Sequence, residues 1–106
     1  CVLGIGLNGH IAFNDPADEL QPGVHLAKLS AASLAHPMVK HAAVDLQYGY
    51  TLGMADILQS KTILLIVNGQ HKKTIFQEFL KGQITTQLPA SFLWLHADVY
   101  CYYCLD

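Results

Sequence analysis

Thr62-Ile-Leu-Leu-Ile-Val67 is a short continuous apolar run, of the kind found in strands covered on both faces of a parallel sheet. Gly69 just beyond it predicts a turn into a helix over about His71 to Leu80. Ile75, Phe76, Phe79 and Leu80 would form that helix's apolar face, and Gly82 would stop it.

Outward from this unit the pattern repeats. Residues 1–6, Cys-Val-Leu-Gly-Ile-Gly, read as another buried strand that ends in the glycine-rich turn Gly4-Ile-Gly-Leu-Asn-Gly9. A loop is expected at Asn14-Asp-Pro-Ala-Asp18, with a second break at Pro22-Gly23. Val24 to Leu29 reads as a short strand. Ser30 to Val39 stays open between helix and loop, being alanine-rich but interrupted by Pro37. Thr51 is expected to cap a helix running to about Gln59. Ala90 to His96 reads as a short helix with Phe92, Leu93 and Trp94 inside, and Asp98 to Cys104 as the final strand. Strands alternating with helices through short loops argue for the α/β class, with a parallel, helix-covered sheet.

The chain has 106 residues, room for one domain at most, yet 52% are hydrophobic and 13% charged. A stand-alone domain of this size needs more polar surface. The chain also opens at Cys1 inside an apolar run, with neither methionine nor leader, so it is expected to be part of a larger α/β protein. A net charge of −2 and the absence of arginine give no electrostatic footprint for nucleic acid. No stretch approaches the roughly 18 apolar residues of a membrane span.

Cys1, Cys101 and Cys104 make an odd count without disulfide spacing, which points to thiols in a reducing compartment. Cys101 and Cys104 form C-x-x-C within a predicted strand. Residues three apart on a strand point to opposite faces, which is poor geometry for a shared metal.

The spacing Gly4-x-Gly6-x-x-Gly9 matches the dinucleotide fingerprint only as a bare pattern. That fingerprint needs a helix opening on the last glycine, so that a pyrophosphate meets its N-terminus. Here the chain runs instead into His10-Ile-Ala-Phe-Asn-Asp-Pro16, too soon broken by proline to be that helix. The turn places His10 just beyond the C-terminal edge of a parallel strand, where open α/β sheets hold their ligands. Asp15, five residues on, is close enough to fold back onto the imidazole. A histidine oriented by a carboxylate is a standard device for proton transfer.

The whole string Gly4-Ile-Gly-Leu-Asn-Gly-His-Ile-Ala-Phe-Asn-Asp-Pro16 resembles the signature of the glucosamine/galactosamine-6-phosphate deaminase–isomerase family. The resemblance continues through Gly49 to Leu58, Ile63 to Lys72 and Pro89 to His96, and so covers nearly the whole chain. It implies a three-layer α/β/α domain with a mainly parallel, modified Rossmann-like sheet. Residues 1–106 would form the C-terminal portion of that single domain, the N-terminal half being absent. The implied chemistry is opening of an amino-sugar 6-phosphate ring, a 1,2-proton shift from aldose to ketose, and release of ammonia. It requires no metal or organic cofactor. The residue matching His10 protonates the ring oxygen, and flanking acidic residues hold it. Asp15 matches one of these, while Asn8 stands where the deaminases usually carry aspartate. The galactosamine-6-phosphate isomerase branch is similar in having an amide there, and the segment Leu88 to His96 also resembles it.

The family's proton-shuttling aspartate and its phosphate loop would lie in the N-terminal half, so this segment alone is expected to be inactive. Lys72, at the start of the helix after Asn68-Gly69, aligns with the family's phosphate-binding lysine, and a helix N-terminus favours an anion. The family's arginine for the same phosphate is expected near Leu34, where leucine cannot replace it. His36, another residue, or Lys72 together with the missing half would then hold the phosphate. Otherwise His25, His36, His41 and His96 fit no metal spacing and are expected at surface or loop positions. The implied partner is a small-molecule amino-sugar phosphate in the cytoplasm, with no nucleic acid or membrane, and the resemblance admits a homo-oligomer. The rivals are a phosphogluconolactonase-like hydrolase, which shares the Gly-His core, and a non-catalytic sugar-phosphate-binding regulator.

Overall fold

A computed structural model describes residues 1–40 and 46–106. Three strands make the main sheet: β1 (Val2–Gly4), β4 (Ile63–Asn68) and β5 (Val99–Cys104), in the order β1-β4-β5 with both pairings parallel. The register sets Leu3 beside Leu65 and Leu65 beside Cys101. An antiparallel pair, β2 (His25–Lys28) with β3 (Tyr48–Thr51), lies in the crossover from β1 to β4. The same crossover holds α1 (Ala31–Ala35), α2 (Pro37–Lys40) and α3 (Met54–Leu58). After β4 a 3-10 turn, Gln70–Lys72, leads into α4 (Lys73–Leu80), and a 3-10 helix, Pro89–Leu95, leads into β5. The α/β class and the mainly parallel sheet are those expected from the alternating pattern.

The period of two along each strand decides the core. Leu3 of β1, Ile5 just beyond it, and Ile63, Leu65 and Val67 of β4 are buried on one face. They form one cluster with Met54 and Ile57 of α3, Phe76 and Phe79 of α4, and Ala90 and Leu93 of the 3-10 helix. Fully burying an Ile or Leu side chain contributes about 1.5–3 kcal/mol, so this face dominates the fold's stability. The opposite face carries Val2, Ile66, Tyr100 and Tyr102, all exposed. Helices of the described residues thus cover one face of β4, and the continuous apolar run does not make it buried on both.

Other expectations need correction. Thr51 does not cap a helix but ends β3, and its Oγ accepts from the Phe13 N–H at 3.1 Å and donates to Leu52 O. The cap of α3 is Gly53 instead, whose N–H donates to the Asp56 carboxylate at 3.0 Å. Only glycine fits there, because a Cβ would collide with the backbone of Pro22 and Gly23. Leu80 and Trp94 are about half exposed rather than inside. The α4 stripe turns away from the core before Leu80, while the Trp94 indole N–H reaches out to Phe79 O at 2.8 Å. The ambiguous alanine-rich segment is helical on both sides of Pro37, which opens α2 where its missing N–H costs nothing.

Candidate active site at the first glycine turn

The chain leaves β1 through Ile5 and Gly6 and turns back on itself, with the Gly9 N–H donating to Gly6 O and the Gly6 N–H donating to His10 O, both at 2.9 Å. Gly9 has φ +90°, a conformation that glycine adopts without a Cβ penalty. Gly6 serves a different purpose: the imidazole of His10 occupies the space that a Cβ there would need. Instead of a helix, a tight Ile11–Asn14 bridge follows, with Ala12 at φ 50°. Asn14 holds this bridge by donating its side-chain amide to Ile11 O and to Leu52 O, which ties the turn to the end of β3. The chain that follows the glycines is therefore not the helix that a dinucleotide site needs, and the amide that meets Gly9 O, at 3.0 Å, is that of Ala90 in the 3-10 helix Pro89–Leu95.

The bridge brings Asp15 back under the imidazole. His10 Nδ1 lies 2.6 Å from Asn8 Oδ1 and 3.4 Å from Asp15 Oδ1. Asn8 completes the link by donating Nδ2 to Asp15 Oδ1 at 3.2 Å. Its amide oxygen can only accept, so Nδ1 carries the hydrogen and Nε2 is left to exchange a proton. The His10 and Asp15 side chains are only 15% and 17% exposed. This burial lowers the His10 pKa below the usual histidine value, opposed by the charge of Asp15 and reinforced by Lys72 and His36.

Lys72 reaches across from the end of the 3-10 turn after β4, where it precedes the first residue of α4. Its ammonium donates to Ile5 O at 2.5 Å, at the very edge of β1, and desolvation lowers its pKa. The four residues singled out in the sequence, Asn8, His10, Asp15 and Lys72, are thus assembled around one turn. A fifth residue, Ser30, was not legible in the sequence and donates to Asp15 Oδ1 at 3.0 Å. Nothing in a Ser-Ala-Ala-Ser string marks a partner fifteen residues upstream.

Leu34 is part of α1 and partly exposed, and His36 caps that helix's C-terminus. His96 is fixed between Ser60 O and the Asp98 N–H, and His25 turns onto Gly23 O, so both support loops. His41 lies outside the described residues. Cys101 and Cys104 are exposed, free thiols on alternate faces of β5.

No family model matches the chain. It is 44% identical over 101 residues to an Escherichia coli K12 protein named "Putative deaminase AgaI", covering 95% of this chain and 40% of the relative. It is 36% identical over 100 residues to a glucosamine-6-phosphate deaminase of Thermoanaerobacter pseudethanolicus, again covering 40% of that protein. In structure it superposes on a monomeric glucosamine-6-phosphate deaminase of the NagB superfamily with a TM-score of 0.83 at 34% identity, across 96% of this chain and 43% of that one. A Neisseria gonorrhoeae protein titled "Putative 6-phosphogluconolactonase" shares the fold alone, at a TM-score of 0.61 and 21% identity. The chain spans about two-fifths of the length of the curated relatives it matches. Likeness in both sequence and fold, running through the turn that carries His10, ties this chain to the glucosamine-6-phosphate deaminases along the two-fifths of their length that it spans.

Proposed function

We propose that these residues form the ring-opening part of an amino-sugar-6-phosphate deaminase–isomerase, and that they correspond to the C-terminal portion of its single domain. The observation that carries the reading is the relay Asp15–Asn8–His10, which leaves Nε2 as the proton-exchanging atom at the sheet's C-terminal edge. His10 as imidazolium gives its Nε2 proton to the pyranose ring oxygen while the C1–O bond breaks, and the anomeric hydroxyl proton leaves to give the open-chain aldehyde. A 1,2-proton shift, performed by a base outside this chain, then gives a 2-imine. Water adds to this imine, and ammonia departs to leave the ketohexose 6-phosphate. The lowered pKa makes each imidazolium a stronger proton donor while leaving fewer of them at neutral pH, so ring opening should quicken as pH falls toward the His10 midpoint.

Lys72 binds the 6-phosphate in this reading, supported by its cationic head at the turn and by its place at the start of α4. His36, whose charge is felt at His10, is the candidate for a second contact. Asn8 in place of an acidic residue favours galactosamine 6-phosphate over glucosamine 6-phosphate. The enzyme acts in the cytoplasm on a small-molecule sugar phosphate.

The test is ammonia release from each epimer by the whole protein and by its His10→Gln variant, with the cyclic sugar and with an open-chain analogue. General acid–base groups typically contribute about 10²–10⁴-fold, and a loss of that size is expected on the cyclic form alone. An equal loss on both forms would remove His10 from ring opening.

A further inference from the structure

Ser30 occupies a junction that the ring-opening reading leaves without a role. It is the N-cap of α1, where its Oγ accepts from the Ser33 N–H at 3.2 Å. The same hydroxyl has one proton to give. The Asp15 carboxylate oxygen at 3.0 Å is both nearer and a stronger acceptor than the Ser33 hydroxyl at 3.3 Å.

Asp15 needs such an anchor. Its Oδ1 takes the hydrogen bonds of Asn8 and Ser30, while its Oδ2 is buried and has no hydrogen-bond partner among the described residues. Without Ser30, Asn8 alone would hold the carboxylate at 3.2 Å. The 3.4 Å separation of Asp15 Oδ1 from His10 Nδ1 would then have little to maintain it against rotation of Oδ2 toward water.

We propose that Ser30 is a positioning residue, which holds Asp15 against His10 and ties the start of α1 to the proton chemistry of the glycine turn. The positioning stands on the geometry; its consequence for turnover rests on His10 being the ring-opening acid. Two opposing effects follow from removing the hydroxyl. Loss of a donor leaves more charge on Asp15, which would raise the His10 pKa, whereas rotation of Asp15 away from the ring would lower it. Rotation dominates, because Asp15 acts on His10 across a gap rather than through a direct bond. Among the described residues, the other titratable groups facing His10 are Lys72 and His36.

The experiment is an NMR titration of the His10 ring in the whole protein without substrate, for Ser30→Ala and Ser30→Thr, each also combined with Asp15→Asn. Ser30→Ala is expected to lower the His10 midpoint by about half a pH unit, on the order of 0.7 kcal/mol. Ser30→Thr, which keeps the hydroxyl and the cap, should restore it. In the Asp15→Asn background Ser30→Ala should add nothing. An unchanged or raised midpoint, or an equal fall with and without Asp15, would overturn the proposal; the last result would point to displacement of α1 with His36. The acid limb of kcat/KM provides the separate check on ring opening. If the NMR midpoint moves and that limb does not, Ser30 still positions Asp15 and the assignment of His10 as the acid is wrong.

Discussion

Asn8 bridges His10 and Asp15 with the two ends of a single amide, its oxygen facing the imidazole at 2.6 Å and its nitrogen facing the carboxylate at 3.2 Å. A carboxylate at position 8 could keep the first contact but would turn the second into a repulsion. Asn8→Asp is therefore expected to raise the His10 pKa, since an added anion beside the ring favours the imidazolium. The histidine limb of the pH–rate profile should move to higher pH while turnover persists. An NMR titration of His10 checks the sign directly, and a downward shift would show that the new carboxylate enters protonated.

The lowered pKa of His10 also predicts how stability depends on pH. The unfolded chain binds the histidine proton near its ordinary value of 6.5, and the folded chain only at lower pH. Between those two values the unfolded state holds more protons, so stability rises with pH there. The contribution is fully present above pH 6.5 and is lost as pH falls through the folded-state value. His10→Gln should flatten this part of the curve. Urea midpoints measured across that window for both proteins test it, and parallel curves would exclude His10 as the source.

Lys72→Ala should weaken binding of the sugar phosphate by about 1.5–3 kcal/mol, the range for a hydrogen bond to a charged group. The unphosphorylated amino sugar should be almost unaffected. Calorimetric titration with both ligands makes the comparison, and equal losses would place Lys72 away from the phosphate.

Gly53→Ala should destabilise the fold by about 1–3 kcal/mol, the cost of forcing atoms into a filled space. The colliding atoms are the backbone of Pro22 and Gly23, which cannot swing aside as a side chain would. The same loop receives the first amides of α3, with Met54 N–H donating to Gln21 O and Ala55 N–H to Pro22 O. Chemical denaturation reads the change, and a midpoint equal to that of the unmodified protein would mean that the loop 21–23 gives way freely.

The parts of this fold that were legible in the sequence are those set by local periodicity. β4 and the body of α4 announce themselves through runs of apolar residues at the right spacing, and His10 through its place after a glycine turn. β3 does not, because Tyr48–Thr51 is four residues long and includes Gly49, which leaves room for the ring of Phe13. Its existence depends on pairing with β2, which lies twenty or more residues away. The cap of α3 and the Ser30–Asp15 contact share that character: in each case the deciding neighbour is distant in the chain. The exposed face of the sheet was hidden for another reason. An apolar run reports what a strand can bury, not what stands next to it.

The bond from Lys72 to Ile5 O means that the cation is already engaged before any anion arrives. If Lys72 holds the phosphate as proposed, recruiting it is an exchange of partners, in which a main-chain acceptor is released as a phosphate oxygen is gained. The measured affinity is the difference between the two, smaller than either alone. Ile5 immediately precedes Gly6, over which the imidazole lies. A ligand that draws the ammonium away would also relieve its charge on His10, so under the proposed roles occupancy at one end of the substrate would retune the acid at the other.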